Sequence, residues 1–361
     1  MNVAILFGGR SAEHEISLLS AQNIFNALDR EKYNPVLIGI DHFGQWYYYG
    51  DTFQLAHADD PKEIRLVNKS TPVILSQIAD DHRLINAKDM TVIVKIDVIF
   101  PIVHGPYGED GSIQGLARLA NLPCVGPSQL ASAMGMDKDI MKRLLRDADI
   151  EIADFFTLYH YDREEYSYAL CSQELGPDLF IKPANMGSSV GISKVSDPSG
   201  FKEAIEVAFQ YDDKVIVEEM IEGREIECAV LGNENPIVSI PGEIIPKDGF
   251  YSYENKYIDE HGAGLEIPAV LTEEQKNLVM ATAKQVYQIL ECEGLTRVDV
   301  FLTEENRVVI NEINTLPGFT KISMYPTLLE HSGIPPVQLI DRLIQLAIER
   351  LQRKNKLKMT V

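Results

Sequence analysis

The chain has 361 residues, of which 45% are hydrophobic and 24% charged, a balance that excludes disorder and supplies core for two or three domains, with three expected. Its 33 Lys and Arg against 54 Asp and Glu leave a net charge of -21, which repels phosphate backbones and anionic lipid and so excludes nucleic acid and membrane surfaces as partners. An anionic nucleotide can be bound only where basic residues are concentrated or metal ions supply positive charge.

The first third alternates strand-like runs with helical spacing. NVAILF is followed by an apolar three-and-four pattern over Ile16 to Leu28, then PVLIGI, DVIFPIV and a helical stretch from Ser112 to Ala120. This predicts a Rossmann-like parallel α/β domain over residues 1–126, with ligands at the strands' carboxyl ends. Residues 127–217 read as a small α+β unit. It comprises a helix from Asp139 to Arg146, the runs LFIKPA and SVGISKV flanking a Gly-Ser loop, and a helix from Ser199 to Phe209. Residues 218–361 carry further strands, a long helix over Thr272 to Leu290, a hairpin over Leu295 to Asn314 and a terminal helix from Pro336 to about Arg353. Between Ile245 and Gly264 lies a polar, tyrosine-rich stretch with no period, which predicts a lid over a site at residues 246–264.

The four cysteines, Cys124, Cys171, Cys228 and Cys292, form no CxxC pair and read as buried thiols. No stretch reaches the roughly 18 apolar residues of a membrane span, and MNVAILFGGR has the wrong flanks for a signal peptide. A cytoplasmic location is expected.

The most informative segment is RVDVFLTEENRVVINEINTLPG. If its strands turn around Glu304 to Arg307, antiparallel pairing sets Asp299 opposite Glu312 and Arg297 opposite Asn314, all on one face. Two carboxylates about 4 Å apart repel by about 4 kcal/mol at an effective dielectric of 20, so the face calls for a cation. Oxygen-only ligands suit Mg²⁺ or Mn²⁺ and not zinc. A slip of one residue would scatter the cluster.

IKPANMGSSVGISKV lets backbone amides of Gly187, Ser188, Ser189 and Gly191 approach an anion, with Lys182 and Lys194 adding charge. It is no P-loop, and an ordinary turn between strands carries equal weight with a phosphate-covering hairpin. In VIVEEMIEGREIECAV, Glu218 and Glu225 could hold ribose hydroxyls, with backbone beside Glu219 and Ile221 meeting adenine; the residues alone favour solvent-facing carboxylates. FGGRSAEHEISL lacks GxGxxG spacing. It reads either as a helix capped by Ser11 or as a place where Glu13 holds a substrate ammonium.

GGRSAEHEISL, HGPYGEDGSIQG, MDKDIMKRLLRDA, IKPANMGSSVGISK, ENKYIDE and EINTLPGFTKISMYP occur in the order of the D-alanine:D-alanine ligases, and over nearly its whole length the chain resembles that family of the ATP-grasp superfamily. The resemblance implies the ATP-grasp fold of three domains and ligation of two D-alanine molecules through an acyl phosphate, for peptidoglycan precursor synthesis. Lys138 and Lys182 would contact the phosphates of ATP, Ser188 and Ser189 would cover them, Glu218 to Ile221 would frame adenine, and Glu225 would bind ribose. Asp299, Glu312 and Asn314 would hold two Mg²⁺ or Mn²⁺. Glu13 would bind the first ammonium, and Lys256 and Ser323 the second carboxylate. Ser188 and Tyr257 would link Glu13 to the lid, Arg297 and the Gly318 amide would meet the oxyanion, and His104 would position the first substrate, handle protons or serve only structure. Lys256 followed by Tyr257, where depsipeptide ligases carry Phe or a different lid, favours an amine nucleophile. A homodimer is the family expectation. Competing readings are a ligase for another D-amino or hydroxy acid pair, a nucleotide-binding oxidoreductase and a non-catalytic ATP-binding regulator; the Asp299, Glu312 and Asn314 set argues against the last.

Overall fold

The computed structural model describes residues 1–57, 63–67, 70–246 and 263–358. The amino-terminal region holds strands β1 (Asn2–Gly8), β2 (Asn34–Ile40), β3 (Trp46–Tyr48), β4 (Leu55–Ala56), β5 (Arg65–Leu66), β6 (Thr71–Leu75), β7 (Arg83–Asn86), β8 (Val92–Lys95) and β9 (Val98–Pro101). Helices α1 (His14–Ala27) and α2 (Ser112–Leu119) accompany them. Seven of the strands form one sheet in the order β8-β7-β6-β3-β2-β1-β9. The expectation of a parallel domain holds only at one end of this sheet. β1 is parallel to β2 and β9, whereas β3, β6, β7 and β8 join antiparallel. The reason is connection length: parallel pairing needs a long crossover such as α1, but a short turn at Asp41–Gln45 joins β2 to β3. α1 also begins earlier than its apolar spacing suggests. Its N-cap residue is Glu13, and Ser11 instead accepts a hydrogen bond from the Glu13 amide.

The central region contains α3 (Gln129–Met136), α4 (Lys138–Asp147), α5 (Tyr168–Leu175) and α6 (Pro198–Ala208), with α3 and α5 additional to the expected pair. An antiparallel sheet runs in the order β10-β13-β11-β12, built from β10 (Phe155–Tyr159), β11 (Leu179–Pro183), β12 (Ser193–Val195) and β13 (Lys214–Glu219). β12 is shorter than SVGISKV suggests, because Ser188, Ser189 and Gly191 all take positive φ and turn the chain before pairing begins.

The carboxyl-terminal sheet follows the order β17-β16-β14-β18-β19, with β15 beside β14. Its strands are β14 (Arg224–Gly232), β15 (Ile237–Val238), β16 (Gly242–Pro246), β17 (Ala263–Glu266), β18 (Gly294–Leu302) and β19 (Val308–Asn314). Helix α7 (Glu273–Ile289) starts in a capping box between Thr272 and Gln275. It buries Val279, Ala283, Val286 and Tyr287, spaced for one helical face, among residues including Cys228, Val230, Val298 and Val300. α8 (Met324–His331) and α9 (Pro336–Lys354) complete the chain. Leu339, Leu343 and Ile344 of α9 share a core with Val3, Ile5 and Phe7 of β1. This packing sets α1 against α9, which also packs on β18, and α1 bonds to Phe319 just beyond the last hairpin. All four cysteines are buried and unpaired, and no helix among the described residues is long and apolar enough to cross a membrane.

Candidate active site

The β18–β19 hairpin has the register its alternation predicts, with Arg297 opposite Asn314 and Asp299 opposite Glu312. A bulge after Asp299 makes Val300 pair with Ile310, so the extra residue is absorbed without rotating Glu312 and Asn314 off the shared face. Arg297 donates two hydrogen bonds to Asp299, each of 2.7 Å, and Asn314 donates one of 2.9 Å. Glu227 on β14, directly across from Asp299, lies 3.0 Å from Arg297. Burial opposes the Arg297 charge, but Asp299 and Glu227 outweigh it and hold the guanidinium well above its ordinary range.

A cleft joins this face to the amino-terminal region, and Glu13, His104, Ser188, Arg297, Asn314 and Gly318 are among the residues that line it. Glu13 is buried at the start of α1, where Ser188 donates a hydrogen bond to its carboxylate. Gly105 leaves room for that carboxylate, since a Cβ there would come within 3.3 Å of Glu13 Oε2. Gly318 faces Ser323 so closely that a Cβ would meet its Oγ at 2.8 Å. Ser323 opens α8 and accepts a hydrogen bond from the Thr320 amide at 2.9 Å.

His104 is engaged at both ring nitrogens, Nδ1 with the Leu316 carbonyl at 3.0 Å and Nε2 with Ser20 Oγ at 3.2 Å. Burial lowers its pKa, so the ring is neutral, with Nδ1 donating and Nε2 accepting. Glu109 accepts from the Gly105 amide at 2.8 Å and the Leu316 amide at 3.1 Å. Burial, reinforced by the charge of Glu13, pushes its carboxyl up to about 8.

A second charged group lies behind the Gly-Ser loop. Glu218 is 4% exposed and paired with both Lys142, at 2.5 Å, and Lys182, which corrects the solvent-facing reading of this carboxylate. Burial works against its charge, yet the two lysines hold it down at about 2. Lys138 donates to the Met186 carbonyl at 2.7 Å and stands 3.6 Å from Glu312, linking the loop to the hairpin. Glu219 accepts from the Asp154 amide at 2.8 Å. Ile221 and Glu225, both half-buried, flank the turn between β13 and β14, and Ser189 sits beside Ser188 with a positive φ. Lys256 and Tyr257 lie outside the described residues, as does nearly all of the expected lid.

Glu109, Glu227 and Lys142 were not visible as site residues in the sequence. Lys142 had a signal, since it lies one helical turn from Lys138 on α4, whereas Glu227 becomes legible only once β14 is known to pair with β18. Among the described residues no group of three His, Cys, Asp or Glu side chains is gathered as metal ligands. The hairpin face still offers two carboxylates and an amide, donors that suit a hard cation. The cleft is also rich in acid: Glu13, Glu109, Glu227 and Glu312 line it together with Arg297.

Strands and helices wrapped in this way around a cleft between two sheets define an ATP-grasp ligase. Residues 2–127 match the D-ala D-ala ligase N-terminus family and residues 144–345 the D-ala D-ala ligase C-terminus family. The D-alanine--D-alanine ligase A of Escherichia coli K12 is 53% identical over 361 residues, spanning 100% of this chain and 99% of that protein. The D-alanine--D-alanine ligase of Oceanobacillus iheyensis is 53% identical over 99% of this chain and 97% of its own. Among solved structures, the D-alanine-D-alanine ligase from Coxiella burnetii superposes with a TM-score of 0.83 at 38% identity, covering 99% of this chain and 97% of that one. The VanG D-Ala:D-Ser ligase from Enterococcus faecalis gives 0.83 at 36% identity, covering 96% and 99%. The chain belongs to the D-alanine:D-alanine ligase family.

Proposed function

We propose that the protein joins two D-alanine molecules at the expense of ATP in a three-domain arrangement of residues 1–126, 127–217 and 218–361. The supporting observation is the meeting in one cleft of Glu13, the Arg297–Asp299–Glu312 face and the Gly318 loop. A carboxylate oxygen of the first D-alanine attacks the γ-phosphorus, and the bond to the ADP oxygen breaks with its electrons leaving on ADP. The amine of the second D-alanine then bonds to the acyl carbon, the carbon–oxygen bond to phosphate breaks, and the amine's proton departs with phosphate or water. Phosphoryl transfer needs chiefly positioning and charge neutralisation. Lys138 and Lys182 supply positive charge to the phosphates, and the Ser188–Ser189 loop covers them. Asp299, Glu312 and Asn314 would hold two Mg²⁺ or Mn²⁺ ions, which supply further neutralisation when bound.

Glu13 receives the first ammonium, Arg297 and the Gly318 amide face the oxyanion, and Ser323 with Lys256 receives the second carboxylate. With both nitrogens of His104 occupied, its role is to position the Leu316–Gly318 segment. Glu219 and Ile221 frame adenine and Glu225 takes ribose, while the buried Glu218 orients Lys182. The reading further includes a cytoplasmic homodimer acting in peptidoglycan precursor synthesis. Incubation with ATP, Mg²⁺ and D-alanine should yield ADP and the dipeptide by mass. Absence of D-alanine-dependent ADP release would refute the reading, and parallel assays with D-serine and D-lactate distinguish the second substrate.

A further inference from the structure

The segment that carries the proposed oxyanion donor is fixed almost wholly from outside its own region. On one side of Pro317 and Gly318, Leu316 donates its amide to Glu109 and accepts at its carbonyl from His104. On the other side, the Phe319 amide donates to Ser20 Oγ at 3.1 Å and its carbonyl accepts from Asn23 Nδ2 at 2.9 Å. The proton directions form one consistent chain: the Phe319 N–H donates to Ser20, the Ser20 O–H donates to His104 Nε2, and His104 Nδ1–H donates to the Leu316 carbonyl.

Ser20 and Asn23 belong to α1, the helix that also starts with Glu13. Ser20 lies seven positions after Glu13, which places them on the same face about 10 Å apart along the axis. A third polar residue on this face, Ser17, accepts from the Gly8 amide and donates to the Ile102 carbonyl, tying the helix to β1 and to the chain after β9. One rigid helix therefore sets the distance between the group that takes the first ammonium and the loop that carries the Gly318 amide.

We infer that Ser20 and Asn23 are positioning residues for the ligation step, holding the Gly318 amide at a fixed place relative to Glu13. This rests on the proposed D-alanine ligation and deepens it. Neither side chain is among the residues that line the cleft, so neither meets the first carboxylate directly and the first step depends on them less. The second step depends on them, because the donor must meet charge that develops only on the acyl oxygen. A displacement well under the length of a hydrogen bond is costly there.

The test compares wild type with Ser20→Ala, Ser20→Thr and Asn23→Asp, the last being isosteric but unable to donate when ionised. Activation is followed as D-alanine-dependent scrambling of ¹⁸O between the bridging and non-bridging positions of the ATP β-phosphate, and ligation as dipeptide. Ser20→Ala and Asn23→Asp should lower dipeptide formation by about tenfold to a hundredfold. Scrambling per dipeptide should rise by a similar factor, because the acyl phosphate returns to ATP more often when its capture is slow. The hydroxyl of Ser20→Thr should restore the ratio. Loss of folded protein changes both rates equally and leaves the ratio unmoved, and Asn23, only half-buried, keeps the test standing should Ser20→Ala fail to fold. A ratio equal to wild type in both Ser20→Ala and Asn23→Asp overturns the inference. A wild type that shows neither D-alanine-dependent scrambling nor dipeptide overturns instead the reading on which it rests.

Discussion

Helix α4 touches two charge clusters built with opposite excess, one through Lys142 and the other through Lys138. Behind the Gly-Ser loop one acid, Glu218, meets two lysines, Lys142 and Lys182. On the hairpin and the neighbouring β14 three acids, Asp299, Glu312 and Glu227, surround one arginine, Arg297. The first leaves positive charge for phosphate oxygens; the second leaves negative charge for cations. A chain with a net charge of -21 thus handles a nucleotide by inverting its field over a short stretch, in a low-dielectric setting where local groups outweigh distant ones.

The sharpest way to break this comparison is to remove acid from the hairpin. Glu312→Ala should lower ligation by about a thousandfold, an effect of the size expected when a preorganised charge-stabilising group is lost; retained turnover at saturating Mg²⁺ would refute the cation assignment. Removing the acid behind the loop should act on stability first. Glu218→Ala leaves two buried lysines without their partner and should cost about 3 kcal/mol in denaturant unfolding. An unchanged midpoint would show that solvent reaches them.

The same contrast sets the dependence on pH. Glu218 has a folded pKa near 2, below its unfolded value of 4.5, so its contribution is complete above about pH 4.5 and is lost as pH falls towards 2. Glu109 is shifted the other way, to about 8. Between pH 4.5 and 8 the folded state retains the proton that the unfolded state releases, so stability falls by about 1 kcal/mol per pH unit as pH rises. Unfolding at pH 5 and 7.5 should show this slope in wild type and a flatter one in Glu109→Gln; equal slopes would remove Glu109 as its source.

Two smaller effects sharpen the picture. Tyr257→Phe should shift nucleophile preference towards D-lactate, and an unchanged ratio in a competition assay would end that role for the tyrosine. The exposed Arg342–Glu349 pair, at 2.8 Å, should contribute under about 1 kcal/mol, so Arg342→Ala should barely move the midpoint. A loss as large as that of Glu218→Ala would erase the distinction between buried and exposed pairs.

Much of the hairpin cluster was legible because strand periodicity is local: residues 297, 299, 312 and 314 share a face as soon as the turn is placed. The Glu218 cluster was not, because its lysines come from α4 and β11 and nothing in VIVEEMIEG announces them. The strands Thr71–Leu75, Arg83–Asn86 and Val92–Lys95 also escaped the parallel reading, since direction is set by connections and not by the strand's own residues.

By itself the sequence determined the ordered motifs, the acid face of the last hairpin, the need for local positive charge and the absence of paired cysteines. These follow from spacing and composition, which act within a few residues. Only the tertiary structure decided that Glu218 is a paired and buried anion, that both nitrogens of His104 are spent on Ser20 and Leu316, and that α1 grips the backbone after Gly318 directly and the backbone before it through His104. Each of those joins groups far apart in the chain. Their partners are chosen by where the layers pack, because a buried polar group must be satisfied by whichever neighbour the fold brings to it.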